Sequence, residues 1–191
     1  MHKIIRILIY ANDQEEAKEK GKDILDRLTE CQDPYDYHVM FGGEDDKGGM
    51  SGTSRWGEQP QAVLATSIEG KNIIKKAMDY TLKNLVEAWG YVKVAFDKGT
   101  PEEYFEHEFE AYKMDNYNDD DINKFKSFYM IRHMIYNLSY PNASNCWLYD
   151  QDGSGILRKS HLNNVLNKWK CINYTKYDDM NIYVISADVH Y

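Results

Sequence analysis

Cysteine is scarce and long apolar runs are missing. The 191-residue chain has three cysteines, Cys31, Cys146 and Cys171, far apart and without a Cys-x-x-Cys pair. That excludes the spacing of a zinc site and the even count of a disulfide framework, and points to a reduced, cytoplasmic setting. No stretch reaches the ~20 apolar residues of a membrane helix. The opening Met1-His2-Lys3-Ile4-Ile5-Arg6 lacks the apolar core and cleavage site of a secretory signal, so no membrane is expected. The sequons at Asn137, Asn142 and Asn173 then read as accidents of an Asn-rich composition. Neither Gly-x-x-x-x-Gly-Lys-Ser/Thr nor Gly-x-Gly-x-x-Gly occurs, so no nucleotide motif is present and no cofactor is implied. Repeats, low-complexity tracts and linkers are absent too, and residues 1–191 read as one domain.

What is present is ordinary in bulk and uneven in placement. Hydrophobic residues make up 42% and charged residues 28%, the balance of a soluble globular chain. The net charge is -8, and nearly all of it sits between Thr100 and Asp121. Glu102, Glu103, Glu106, Glu108, Glu110, Asp115, Asp119, Asp120 and Asp121 face only Lys113 there. From Gly153 to Tyr177 the sign reverses, with Arg158, Lys159, Lys168, Lys170 and Lys176 opposed by no acid. Trp169, Tyr174 and Tyr177 interleave with these bases, as in single-strand binders, but so few charges argue against nucleic acid as the partner. The acidic segment suits a basic protein partner.

Residues 3–10 (KIIRILIY) form a short Ile-rich run that reads as a buried strand. Asp13, with Glu16 three residues on, caps a helix carrying Ala17, Ile24, Leu25 and Leu28 on one face. Pro34 ends that region, and Tyr37 to Phe41 make a second strand. Strand, helix, strand predicts a right-handed parallel βαβ unit. Ser67 caps a further helix, with Ile73, Ala77, Thr81, Leu85 and Trp89 along one face; YVKVAF (91–96) alternates like a strand, but no turn sequence follows Trp89, so one helix to Lys98 with Gly99 as its C-cap is preferred. Thr100-Pro101-Glu102-Glu103 starts another. Residues 122–138, apolar on most sides, read as a central core helix. Ser160 caps a helix with Leu162, Val165, Leu166 and Trp169, and residues 181–189 are the last strand. The expected fold is α+β: a small mixed sheet of the βαβ unit and C-terminal strands, covered by four or five helices. Its expected core holds Ile5, Ile7, Ile9, Val39, Leu85, Trp89, Phe105, Phe128, Ile131, Ile135, Leu166 and Trp169.

Several groupings carry chemistry. Residues 42–60 hold six of the twelve glycines and no regular period. A loop this long in a small domain is functional or disordered. Lys47, Arg55 and Trp56 lie in it, so free amides and a guanidinium could hold a small anionic ligand while Trp56 stacks on a ring. Asp150 to His161 (DQDGSGILRKSH) resembles a calcium-binding EF-hand loop. Asp150, Asp152 and Ser154 stand at positions 1, 3 and 5, Gly155 at 6 and Leu157 at 8. Position 12 is His161 instead of a bidentate Glu, and the alternative is a hairpin turn built from Asp, Gly and Ser. Glu103, His107 and Glu110 share a helical face that can bind a metal, but it lies opposite Phe105, Phe109 and Tyr112 and is expected to meet water. Ser186, Asp188 and His190 alternate along the last strand, a row expected on the solvent face of an edge strand. Arg132 and His133 form a polar pair on the central helix.

Three functions remain open. The first is a non-enzymatic interaction module that presents residues 100–121 to a basic partner. The second is an enzyme or ligand-binding protein with an anion site under the Gly-rich loop. The third is divalent-metal binding at Asp150, Asp152 and Ser154. The sequence does not decide between a monomer and a homo-oligomer.

Overall fold

A computed structural model describes residues 2–30, 35–47, 49–98, 100, 146–167 and 179–190. Residues Met1–Thr81 with Pro141–Tyr191 form one compact unit, and Leu82–Tyr140 form another. The described elements are β1 (His2–Ala11), α1 (Gln14–Thr29), β2 (Tyr37–Met40), a 3₁₀ turn (Glu44–Lys47), α2 (Thr53–Trp56) and β3 (Ala62–Leu64). They continue with α3 (Ile68–Lys98), β4 (Leu148–Tyr149), α4 (Lys159–Leu166) and β5 (Asn181–His190).

The fold is α+β, built on a small mixed five-stranded sheet. β1 and β2 run in the same direction, as the βαβ reading requires, but β5 lies between them and is antiparallel to both. β3 pairs with the other half of the same β5 edge, and β4 runs parallel to β1 on the far side. The reason is legible in β5 itself. Every residue from Ile182 to Val189 is buried, and a strand covered on both faces belongs in the middle of a sheet. β2 and β3 are thus two halves of one edge, and the Gly-rich stretch is the excursion between them.

On one face α1 packs on the sheet. Asp13 caps it, its carboxylate accepting the Glu16 amide at 2.9 Å. Ala17, Gly21, Ile24, Leu25 and Leu28 turn inward, and Ile5, Ile7, Ile9 and Ile185 meet them. On the other face α4 and the first turns of α3 cover Leu8, Tyr10, Ile182 and Val184. Ser67 caps α3, its hydroxyl accepting from the Gly70 amide at 2.9 Å.

Ile5, Ile7, Ile9 and Val39 are buried, as expected. Leu85 is only half-buried, and Trp89 is 58% exposed. Helical spacing aligns side chains but does not say what covers them. Among the described side chains of α3, the buried ones are Gly70, Ile74, Ala77 and Thr81. Leu166 is also exposed, because α4 is two turns long and buries only Val165. Phe105, Phe128, Ile131, Ile135, Trp169, the expected helix 122–138 and the Gly99 cap lie outside the described residues.

Candidate functional site

β5 carries a polar row where an apolar one would serve packing better. Ser186 and Asp188 are 0% and 1% exposed. The expectation of a solvent face is therefore overturned: β5 is central, and the excursion between β2 and β3 folds over the row. The Asp188 carboxylate accepts the Gly52 amide at 2.8 Å. Nδ1 of His2, on β1, lies 3.3 and 3.2 Å from its two oxygens. His190 follows on the same face, with Nδ1 2.7 Å from the Asp36 carboxylate. His2 and His190 face each other across the β1–β5 ladder, ring centres 4.9 Å apart and planes at 61°. An ionised carboxylate can only accept, so in each neutral pair Nδ1 carries the proton and Nε2 keeps its lone pair. The two rings line a cleft of about 330 Å³ with Asp36, Tyr37, Met50 and Ser51.

The cover is held by its own aspartate. Asp46 accepts the Gly42 amide at 2.7 Å and both the amide and hydroxyl of Thr53 at 2.6 Å. Burial pushes its carboxyl upward, but these bonds outweigh that and hold it below the usual carboxylate range. Gly52 sits at φ +56°, a left-handed conformation that glycine tolerates, and this lets its amide reach Asp188.

One layer further along the same face, Arg6 of β1 stands opposite Ser186 of β5. Directly opposed side chains have Cβ atoms roughly 4.5–5.5 Å apart. The guanidinium donates to the Ile5 carbonyl at 3.1 Å and to Gln59 Oε1 at 3.2 Å, and among the described residues it has no ion pair. Burial lowers its pKa to about 10. The Ser186 hydroxyl is buried and has no hydrogen-bond partner. Buried polar atoms normally find one, so an orphan of this kind calls for a cause.

The loop residues singled out in the sequence lie elsewhere on the cover. Arg55 is exposed and its Nε donates to the Met50 carbonyl at 2.8 Å, while Trp56 is exposed on the same short helix. Lys47 ends the 3₁₀ turn, and its side chain is outside the described set. In the DQDGSG turn, Asp150 Oδ1 accepts the amides of Asp152 and Ser154 at 3.0 and 2.9 Å, and Oδ2 meets His161 Nε2 at 2.9 Å. Gly153 takes φ +80° and Gly155 bridges back to Tyr149, the geometry of a hairpin turn. Asp152 is exposed and Ser154 half-buried. The acidic residues 101–121, with Glu103, His107 and Glu110, lie outside the described residues, as do Arg132, His133, Lys168, Lys170 and Lys176.

On the opposite face of β1, Lys3 is buried among polar and aromatic groups. Nζ donates to the Cys146 carbonyl at 2.8 Å and lies 4.6 and 5.1 Å from the ring centres of Trp147 and Tyr35. Burial lowers its pKa to about 7 and pushes the Cys146 thiol up to about 12. The Tyr35 and Tyr149 hydroxyls share a 2.5 Å hydrogen bond.

A family model described as a domain of unknown function (DUF7995) matches residues 1–191. The chain belongs to that family. No curated protein and no solved structure matches it. His2, Arg6, Asp36 and their pairing with the β5 row were missed in the sequence. The available signal was polar residues spaced by even numbers, His2 and Arg6 in β1 and Ser186, Asp188 and His190 in β5. Antiparallel pairing stacks two such rows on one face.

Proposed function

We propose that the protein binds a small ligand carrying an oxyanion, received by Arg6 and Ser186 beneath the Gly-rich cover. The observation that carries this reading is the buried, orphaned Ser186 hydroxyl directly across the ladder from a guanidinium without a carboxylate. Arg is suited to planar oxyanions, and a hydroxyl adds a neutral donor. The cation is Arg6, in place of Arg55. Gln59 Oε1 occupies an Arg6 donor that an incoming oxyanion would take. Inorganic phosphate and sulfate are the probes. Each should raise the melting temperature of the full chain, with the effect lost in Arg6→Met and weakened in Ser186→Ala. An undiminished response in Arg6→Met, or none in the unmodified chain, ends the reading.

A second reading follows from charge segregation. Residues 100–121 hold almost all the net charge, which favours capture of a basic protein partner. Changing the five glutamates from Glu102 to Glu110 to Gln should abolish that capture at unchanged melting temperature. Capture that persists disposes of it.

A further inference from the structure

We infer that His2 and His190 form a two-imidazole site for a divalent transition-metal ion of the copper, nickel or zinc type. The site stands on other residues than the oxyanion reading and survives or fails separately.

Three observations converge. Each imidazole gives its Nδ1 side to a carboxylate, His2 to Asp188 and His190 to Asp36. This is the outer-shell support that metal-binding histidines almost always have, because it fixes the tautomer and raises the basicity of the other nitrogen. Among the described residues neither Nε2 has a hydrogen-bond partner, and both rings line the same cleft. The ring spacing fits a shared ion. With metal–nitrogen bonds of about 2.0–2.1 Å, two imidazoles whose centres are 4.9 Å apart are near enough to share one ion.

The donor set also selects the metal. Two imidazoles suit copper, nickel and zinc and serve magnesium and calcium poorly. Among the described residues no three His, Cys, Asp or Glu side chains gather around one point. The described residues therefore fill two positions, and the cleft leaves the others open to water or a ligand, the arrangement of a reactive centre and not of a closed structural one.

The test is titration of the full chain with Cu²⁺, read by electron paramagnetic resonance and by calorimetry. The expected result is one ion per chain with two nitrogen ligands, unchanged by excess Mg²⁺ or Ca²⁺. His2→Asn and His190→Asn should each weaken binding at least tenfold. Asp36→Asn should weaken it by roughly 10- to 100-fold, the usual effect of losing an outer-shell partner. Fewer than two nitrogens in the unmodified chain overturns the site, whether or not the variants fold. So does binding that survives either histidine change intact, or that follows His38→Asn or His161→Asn instead.

Discussion

Asp188 shows what a single residue must satisfy when it is buried with a charge. At 1% exposure it gives up hydration, and the Gly52 amide and the His2 ring replace it. Hydrogen bonds to charged groups contribute about 1.5–3 kcal/mol each, so Asp188→Ala should destabilise the chain by at least that much in urea denaturation. It should also release the cover, raising the hydrogen-exchange rate of the Gly52 amide at least tenfold. Asp188→Asn keeps an acceptor for Gly52 and should lose less. Gly52 exchange unchanged in the alanine variant would sink this account of the cover. Gly52→Ala tests the same contact from the other side. A Cβ there would come within 2.1 Å of Asp46 Oδ1 and 2.9 Å of Val39 Cγ1, at φ +56°. Its loss should match Asp188→Ala in amplitude and in where exchange rises.

At the scale of elements, burial separates helices that look alike by pattern. Leu25 in α1 is fully buried against the sheet, whereas Leu82 in α3 is 57% exposed. Leu25→Ala should cost about 2–5 kcal/mol, and Leu82→Ala should stay within about 0.5 kcal/mol of the unmodified chain. Equal losses at the two sites would mean that Leu82 is covered. The same contrast explains how far the sequence could be read. β1, α1, β2, β5 and α3 as far as Trp89 were legible from caps and periods, whereas 90–97 fitted a strand's alternation as well as the helical stripe that α3 follows. β3 was not: three residues leave no period, and Ala62–Leu64 is a strand only because β5 offers it an edge. The candidate site was half legible. The Gly-rich excursion and the Ser186–Asp188–His190 row were both visible. What joined them was long-range register, His2 against His190 and Gly52 over Asp188, which no local pattern encodes.

For the whole molecule, the buried Lys3 and Cys146 pull the pH dependence of stability in opposite directions. Lys3 titrates near 7 in the folded chain and near 10.5 when unfolded. Between those values the unfolded chain holds a proton that the folded one lacks, so stability rises with pH, by at most about 1.4 kcal/mol per unit. Below 7 the folded chain is charged there too and carries the full desolvation penalty. Cys146 titrates near 12 folded and near 9 unfolded. Above 9 the unfolded chain loses a proton that the folded one keeps, so stability falls with pH over that range. The urea midpoint should therefore climb from pH 7 to about 9, level off to about 10.5 while the two slopes cancel, and then decline. Lys3→Met should remove the climb, leaving a curve that is flat and then falls. Cys146→Ala should remove the fall belonging to the thiol and extend the climb toward 10.5. The readout is the difference between variant and unmodified chains at each pH, which cancels groups common to both. A climb that persists in Lys3→Met would show that the ammonium is not buried against β1 as described, and the core behind the candidate site would need another source of its alkaline stability.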